Sequence, residues 1–413
     1  MPHIFLHGPV DILKNLDRFL RTATRLLASG GAARQARDNQ EEKAMMPQDV
    51  QGRARDASRR GIYEIAALLL KQSPRVLRPV TALRNAMRCL GLGLWVGAAS
   101  TVCAQTWEIS DYKPIKQVVI DTNHHRYVAI RHFEKTGVSS YLLVDPQTLK
   151  TSIQPASNFD IAKNQDDVLK SSIYARALAR TTAPPFPIQN QGLTHAFHSA
   201  PHVAYLTIDM CPSSHAFNKD FYERLIAFGA KHHLPMTIDV SGLWIVRHGE
   251  EYSWLKKAIA AGQLNVTWVN HAYLHRYLRD APLERNFLLI PGTDVDSEIL
   301  EVEKLLIADN QTPSIFFRYP GLVSDPYVVT RTRELGVIPL GADAWLAKGQ
   351  PIRDGSIVLV HANGNEPAGL ELLTDDVLAA HRWRPLNEAI TYDPGHSSQD
   401  AGFASRSVQS PAE

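Results

Sequence analysis

The chain has 413 residues, 44% of them hydrophobic, and a net charge of +2. This length and composition allow an extended buried core, so the chain is globular, with one large domain or two to three smaller ones. Residues 1–104 carry 16 Lys and Arg against 8 Asp and Glu, which leaves 28 against 34 in residues 105–413. The mildly acidic remainder argues against nucleic acid as the main partner, since phosphate binding needs a concentrated basic surface.

A secretory signal peptide is predicted over residues 87–104. Arg88 supplies a short basic start, the run 89–102 is apolar and of signal-peptide length, and small side chains precede a cut between Ala104 and Gln105. The protein is therefore expected to be secreted or periplasmic after cleavage near Ala104, with no stable membrane association. An uncleaved membrane anchor is the alternative interpretation.

Residues 1–86 stand before this signal, although an export signal is read only at the N-terminus. They are predicted to be a non-native upstream extension from a misassigned start codon, with translation beginning at Met87; a cytoplasmic tail on an anchored protein is the alternative. Removal of the signal takes Cys89 and Cys103 with it. Cys211 then remains alone, so the mature chain cannot form an intrachain disulfide.

A small β-rich unit is predicted over residues 105–160. Its alternating apolar and polar runs are 117–121, 127–132 and 140–144. The turn-prone pair Thr136 and Gly137 separates the last two runs, as in a hairpin. A polar, helix-forming stretch and then the run Pro-Pro-Phe-Pro at 184–187 predict a linker over residues 161–190.

From residue 191 onward, strand and helix patterns alternate. The predicted strands are 203–209, 236–240, 265–270, 314–318, 337–341 and 356–361, and the predicted helices are 219–232, 252–261, 296–309 and 325–335. Short apolar strands between amphipathic helices predict an α/β domain with a parallel sheet, which we place at residues 191–385. Closure of that sheet into a barrel is an inference, because an open doubly wound sheet has the same local pattern. A disordered tail is expected over 386–413.

Polar side chains follow the predicted strands of this domain. They are Asp209, His271 and His275, Arg318, Asp343 with Trp345, and His361. In α/β barrels the loops at the C-terminal strand ends meet at one mouth, so these residues are expected to converge. His271 and His275 would lie one helical turn apart if a helix begins there, which lets both imidazoles reach one ion.

Five motifs follow one another in residues 200–375: Thr207-Ile208-Asp209, Asn270-His271-Ala272-Tyr273-Leu274-His275, Arg318-Tyr319-Pro320-Gly321, Asp343-Ala344-Trp345 and Leu359-Val360-His361. In these motifs the chain resembles the polysaccharide deacetylases with the NodB homology domain, a family of carbohydrate esterases. Their order and spacing are also similar. The resemblance implies an irregular (β/α)7-type barrel, preceded here by the β-rich unit, that removes N- or O-acetyl groups from a cell-envelope or extracellular polysaccharide in a metal-dependent reaction.

The resemblance also implies roles for individual residues. His271 and His275 would hold a divalent ion, usually zinc, which activates water and polarises the acetyl carbonyl. Asp209 would take a proton from that water, and Arg318 would keep Asp209 ionised and oriented.

The remaining motif residues would complete the reaction and the substrate pocket. His361 would protonate the leaving amine or alkoxide, with Asp343 setting its tautomer or charge. Trp345 would form a wall of the acetyl pocket, and Tyr319 and Pro320 are further candidates for substrate binding.

One position departs from the family pattern. The first motif of the family has two adjacent aspartates, the second a metal ligand, and Met210 stands there instead. A thioether is a poor ligand for a hard or borderline ion. Asp209 can itself bind the metal, which we prefer; Cys211 or His215 can supply the third ligand; or the site is degenerate.

Other polar residues are given structural roles. The histidines at 195, 198, 202, 232, 233 and 248 are interpreted as structural or exposed, and Asp239 as a helix cap or turn residue. Two other functions remain open, a catalytically silent barrel that binds carbohydrate and an amidase of the same fold.

Overall fold

A computed structural model describes residues 107–163 and 165–392. The predicted upstream extension and signal peptide lie outside the described residues, as do positions 393–413 of the predicted tail. No helix within the described ranges has the length and apolar character needed to cross a membrane.

The N-terminal part is an antiparallel sheet of five strands in the order β4-β3-β2-β1-β5. The strands are β1 (Ile109–Asp121), β2 (Arg126–Lys135), β3 (Val138–Val144), β4 (Thr151–Pro155) and β5 (Phe159–Ile161). The turn between β2 and β3 has two residues, Thr136 at φ 49° and Gly137 at φ 76°. Two successive positive φ angles define the tight hairpin turn whose twist matches the flanking strands.

The second sheet is parallel, in the order β10-β9-β8-β7-β6-β12-β11, with β13 beside β6. Its strands are β6 (Val203–Met210), β7 (Pro235–Val240), β8 (Asn265–Asn270), β9 (Pro313–Arg318), β10 (Ile338–Leu340), β11 (Ala344–Trp345), β12 (Ser356–His361) and β13 (Arg382–Trp383). Every residue of β6, β7 and β12 is buried, because side chains cover both faces of the sheet.

Ten α-helices lie within the described ranges. They are α1 (Gln165–Ser171), α2 (Ile173–Thr181), α3 (Lys219–Gly229), α4 (Gly242–Arg247), α5 (Gly249–Ala260), α6 (Val295–Ala308), α7 (Pro326–Glu334), α8 (Pro367–Leu372), α9 (Asp375–Ala380) and α10 (Glu388–Thr391). The four helices predicted from the sequence correspond to α3, α5, α6 and α7.

An irregular segment closes the parallel sheet into a barrel between β10 and β12. Leu193 N donates to Pro339 O at 2.8 Å, and Ala196 N donates to Gly355 O at 3.0 Å. Gly192, at φ 114°, permits this approach, because a Cβ there would collide with the Pro339 carbonyl. The predicted fold class, an irregular (β/α)7-type barrel preceded by a β-rich unit, is confirmed.

Residues 165–181 form the helices α1 and α2, in the stretch predicted to be helix-forming, but they pack onto the barrel instead of serving as a linker. Tyr174 of α2 is buried, and its hydroxyl donates to Gly336 O at 2.7 Å, beside the barrel strand β10. Residues 386–392, expected in a disordered tail, are also ordered, because Leu386 and Ile390 pack into the same core as β6. These segments bury apolar side chains that neither a linker nor a tail would bury.

The β-rich unit and the barrel share one hydrophobic core. Ile130 and Phe133 of β2 belong to the same buried cluster as Phe316 of β9 and Ile338 of β10. The β-rich unit therefore forms one compact body with the barrel. The linker expected over residues 161–190 does not separate two independent domains.

Candidate active site

A cavity of about 620 Å³ opens where the parallel strands end. Its polar lining residues include Asp209, Cys211, His271, His275, His361 and Glu366. Trp345, Leu322 and Leu359 form an apolar part of its wall. β6, β8 and β12 each end at or beside a polar lining residue, so Asp209, His271, His275, Trp345 and His361 converge at one mouth of the barrel as predicted.

Arg318 holds Asp209 in a buried ion pair. Its Nη1 atom donates at 2.7 Å to both Asp209 Oδ1 and Thr207 Oγ1, and its Nη2 atom donates to Gly341 O at 2.9 Å. Burial alone would raise the pKa of Asp209, but Arg318, followed by His271 and His361, holds this pKa below its ordinary value. The carboxylate is therefore ionised and fixed in direction.

A second carboxylate, Asp239, lies beside Asp209 and was misjudged from the sequence. It is a fully buried residue of β7, in register with Asp209 on β6, and not a cap or turn residue. Its Oδ2 lies 3.6 Å from Arg318 Nη1, and both its side-chain oxygens lack a hydrogen-bond partner among the described residues. Burial and the charge of Asp209 raise its pKa to about 7, although Arg318 acts to lower it. The repeated tripeptide Thr-Ile-Asp, at 207–209 and 237–239, was the available signal.

The two histidines of the second motif meet through a loop and not a helix. After β8 the chain turns with positive φ at Ala272 (65°) and His275 (46°), and the two Nε2 atoms lie 3.2 Å apart. Asn270 Oδ1 accepts from Ala272 N at 3.0 Å, and the buried Glu298 accepts from Leu274 N at 2.8 Å. These side chains satisfy the loop backbone, which explains how it stays ordered without helical hydrogen bonds.

The ring orientation of His271 suits metal binding. Its Nδ1 lies 2.9 Å from Arg318 O, so Nδ1 carries the hydrogen and Nε2 faces Cys211 Sγ at 3.5 Å. Burial would lower the pKa of His271, but Asp209 and Cys211 raise it to about 9. Negative groups around the imidazole thus favour a positive charge in this position, whether a proton or a metal ion.

Two groups of potential ligand atoms occur among the described residues. One contains Cys211, His271 and His275, and the other contains Asp209, Cys211 and His361, with all ligand atoms of a group within 4.8 Å of one another. Burial would raise the pKa of the Cys211 thiol, yet His275, His271 and His361 hold it well below its usual value. Thiolate and imidazole are the donors that zinc prefers, so the residues present fit that ion.

Met210 and His215, considered at the third ligand position from the sequence, lie away from the histidine pair. The buried sulfur of Met210 accepts a hydrogen bond from Tyr222 OH at 3.3 Å, within the core between sheet and helices. His215 is an exposed loop residue and belongs to neither ligand group found among the described residues.

His361 contacts Glu366, which sequence reasoning missed. His361 Nδ1 lies 2.9 Å from Glu366 Oε2, an ion-pair contact that is not aligned as a hydrogen bond, and the same oxygen accepts from Trp345 Nε1 at 2.8 Å. Burial would lower the pKa of His361, but Cys211, Glu366 and Asp209 raise it well above its ordinary value. His361 Nε2 faces Asp209 Oδ2 at 3.9 Å. The expected position of Trp345 in the pocket wall is also observed.

Asp343 does not serve His361 as expected. Its Oδ2 lies 2.8 Å from His195 Nδ1, and its Oδ1 accepts from Ile357 N at 3.0 Å. The reason is its place in the fold, because Ile357 is at the start of β12 and His361 at its end. Asp343 therefore connects the closing segment of the barrel to β12, and His195 is structural, as interpreted.

Tyr319 and Pro320 are not in the cavity wall. Tyr319 is fully buried, and its hydroxyl donates to Thr332 Oγ1 of α7 at 3.1 Å. It follows Arg318, which faces the barrel interior, so strand alternation turns Tyr319 towards the helices. The next two residues, Gly321 and Leu322, line the cavity instead.

Comparisons with known proteins give two kinds of similarity. A family model described as the RP012 protein N-terminal domain matches residues 110–176, from β1 into α2 and therefore beyond the predicted end of the β-rich unit. Similar solved structures include a family 4 carbohydrate esterase from Bacillus anthracis, with 16% identity over 54% of this chain and 94% of that chain and a TM-score of 0.37.

Two further structures extend this similarity. A chitin deacetylase from the fungal pathogen Colletotrichum lindemuthianum shares 15% identity over 49% of this chain and 91% of that chain, with a TM-score of 0.36. A CE4 family pseudoenzyme from Bacillus anthracis shares 18% identity over 50% of this chain and 70% of that chain, with a TM-score of 0.35. At these sequence identities and TM-scores, the argument for function depends on the residues of this chain.

Proposed function

We propose that this protein is an exported, metal-dependent hydrolase that removes N- or O-acetyl groups from a cell-envelope or extracellular polysaccharide. The supporting observation is the meeting of an arginine-bound carboxylate, a histidine pair and a carboxylate-bound histidine in one cavity. These are a base, a set of metal donors and an acid, the groups that hydrolysis of an amide or ester requires.

His271 and His275, with a third donor, would hold a divalent ion, for which zinc is the best fit to the donors present. When bound, such an ion supplies Lewis acidity for an acetyl carbonyl. The cavity volume of about 620 Å³ falls in the range of small-molecule sites and accommodates a sugar unit with its acetyl group.

Asp209 acts as the general base in this proposal. Its Oδ1 is occupied by Arg318, while Oδ2 faces His271 and His361 and is free to accept a proton from the attacking water. Because Arg318 is completely buried, water does not weaken this orientation.

His361 acts as the general acid. Its raised pKa keeps the ring protonated, Glu366 stabilises the charge at Nδ1, and Nε2 on the cavity side can donate to the leaving nitrogen or oxygen. The apolar wall formed by Trp345, Leu322 and Leu359 can receive the acetyl methyl group.

A second candidate function is a catalytically silent barrel that binds carbohydrate. The observation in its favour is Met210, which fills the position of a carboxylate ligand in the family pattern and whose side chain points into the core. An amidase of the same fold would use the same groups on a different amide.

Acetate release from chitin oligomers, peptidoglycan, acetylated xylan and poly-N-acetylglucosamine tests the proposal. We expect the zinc-loaded protein to release acetate from at least one polymer and His361→Ala to lose about 10²- to 10⁴-fold in rate, because general acid catalysis is worth that much. His198→Ala, at an exposed histidine, is the matched control and should keep full activity. Glycan binding without acetate release would favour the silent barrel, and release of peptides with new amino termini from peptidoglycan would favour the amidase.

Export is tested separately, on the protein isolated from its own cells. If residues 87–104 are a cleaved signal peptide, the mature N-terminus is Gln105. Mass spectrometry that detects peptides from residues 1–60 in the isolated protein would contradict this part of the proposal.

A further inference from the structure

We propose that Cys211 is the third protein ligand of the metal ion, so that this site is a Cys-His-His site. This inference rests on the proposed function only for the presence of a metal ion. Cys211 thus takes the ligand position for which the motif resemblance implies a carboxylate and for which the sequence favoured Asp209.

The placement of the donor atoms supports Cys211. The group that contains both histidines of the pair also contains Cys211, and Cys211 is the one residue common to both ligand groups of the described chain. Its sulfur lies 3.5 Å from His271 Nε2, the ring nitrogen whose lone pair is directed into the site. The side chain lines the cavity although it is largely buried, so an ion bound to its sulfur would face the cavity.

The position of Cys211 is fixed by the fold. Its carbonyl accepts a hydrogen bond from Asn363 Nδ2 at 2.8 Å, which connects the end of β6 to the loop after β12. Met210, one residue earlier, points into the core, so strand alternation places the next side chain in the cavity. A ligand supplied at position 211 needs no rearrangement of the strand.

The competing carboxylate has another task. Asp209 Oδ1 is bound to Arg318, which neutralises the charge that a metal ligand would offer to the ion. With Cys211 as ligand, Asp209 keeps its function as a base and the three protein donors leave a fourth position open, the pattern of catalytic zinc sites. A thiolate also makes the site selective for zinc or cobalt over magnesium, calcium and manganese, which prefer oxygen donors.

Cobalt substitution provides a direct test, because a thiolate bound to Co²⁺ gives an intense near-ultraviolet sulfur-to-metal charge-transfer band. The experiment uses the full chain with Cys89→Ser and Cys103→Ser, so that Cys211 is its single thiol. We expect the band in this protein, its loss in Cys211→Ser, and a fall in zinc affinity of at least about 100-fold, since removal of an outer-shell partner alone costs about 10- to 100-fold.

Three variants keep the test decisive. Cys211→Asp should bind Co²⁺ without the charge-transfer band, even if Cys211→Ser folds poorly. Asp209→Asn and the exposed-loop variant His215→Ala should both keep the band. The absence of the band in the Co²⁺-loaded parent protein, or unchanged zinc affinity in Cys211→Ser, would overturn the inference. A band without acetate release would contradict the proposed function alone, and acetate release without a band would contradict the ligand assignment alone.

Discussion

Asp209 and Asp239 show how the aspartates of the same tripeptide on neighbouring strands acquire different pKa values. Arg318 donates directly to Asp209 but lies 3.6 Å from Asp239, and both carboxyl groups are buried. One arginine cannot compensate two buried charges equally, so the pKa of Asp209 is lowered and the pKa of Asp239 is raised to about 7. Asp239 thereby places a carboxyl group that titrates near neutral pH on the strand next to Asp209, the proposed base.

The raised pKa of Asp239 predicts a pH effect on stability. A carboxyl group with a folded pKa near 7 and an ordinary value of 3.8 binds more protons in the folded state between these values, so its effect on stability becomes unfavourable as pH rises through that window. We expect the gain in the free energy of unfolding from Asp239→Asn to be larger at pH 8 than at pH 5. Urea denaturation with a metal chelator present measures it, with the exposed Asp160→Asn as control. An equal difference at both pH values would contradict the pKa assignment.

Glu366 is predicted to position and charge His361. In Glu366→Gln the ion pair at Nδ1 is lost while the metal donors are untouched, so we expect the rate of acetate release to fall by about 10- to 100-fold, less than the full value of acid catalysis. The alkaline limb of the pH-rate profile should shift to lower pH, because the charged imidazole loses its partner. Glu371→Gln on α8 is the matched control. Unchanged rates in Glu366→Gln would show that Glu366 only accepts the hydrogen bond from Trp345 Nε1 and does not act on His361.

Among the elements, α6 connects the candidate metal site to the rest of the molecule. Ile299 O accepts from Asn270 Nδ2 at 2.7 Å, and Glu298 accepts from the loop that carries the two histidines. Two consecutive residues of α6 therefore hold the loop, one at its start and one near its end. The helix begins after Asp294, whose side chain accepts hydrogen bonds from Asp296 N and Ser297 N.

Loss of this N-cap is expected to weaken α6. Asp294→Ala leaves the first backbone N–H groups without a partner, which costs about 1 kcal/mol in the free energy of unfolding. Asp294→Asn keeps an acceptor at the same position and should cost much less, so the two variants separate the cap from the charge. Chemical denaturation measures both, and equal losses would show that the charge and not the cap stabilises the helix.

In the molecule as a whole, a buried ion pair joins the β-rich unit to the barrel. Arg131 of β2 donates two hydrogen bonds to Glu303 of α6, from Nε to Oε2 at 2.7 Å and from Nη2 to Oε1 at 2.8 Å. Arg131 Nη1 also donates to Leu335 O at 2.6 Å, and the Tyr112 hydroxyl donates to Glu303 Oε2 at 2.8 Å. The polar contact lies beside the shared apolar core, so the two parts are expected to unfold together.

A double-mutant cycle tests this connection. Glu303→Leu leaves the Arg131 charge buried and unpaired, and we expect a loss of about 3–5 kcal/mol in the free energy of unfolding. Arg131→Met combined with Glu303→Leu should cost less than Glu303→Leu alone, because no buried charge remains. All variants should unfold in one transition. Additive losses, or separate transitions for residues 105–160 and the barrel, would contradict the integrated core.

The sequence by itself determined the element types and most of the residues that converge in the cavity. The predicted strand 203–209 corresponds to Val203–Met210, and 265–270 to Asn265–Asn270, because hydrophobic runs and strand-end polar residues are local patterns. His271, Arg318 and His361 could be placed at one mouth for the same reason, since parallel strands end together.

Only the tertiary structure decided which of these residues touch. Strand register placed Asp239 beside Asp209, and the loop after β12 brought Glu366 to His361, while Asp343 stayed at the opposite end of β12. The inclusion of the β-rich unit in the barrel core likewise depends on contacts between distant residues. Such contacts are set by register, loop path and close packing over the whole chain, and no local pattern contains them.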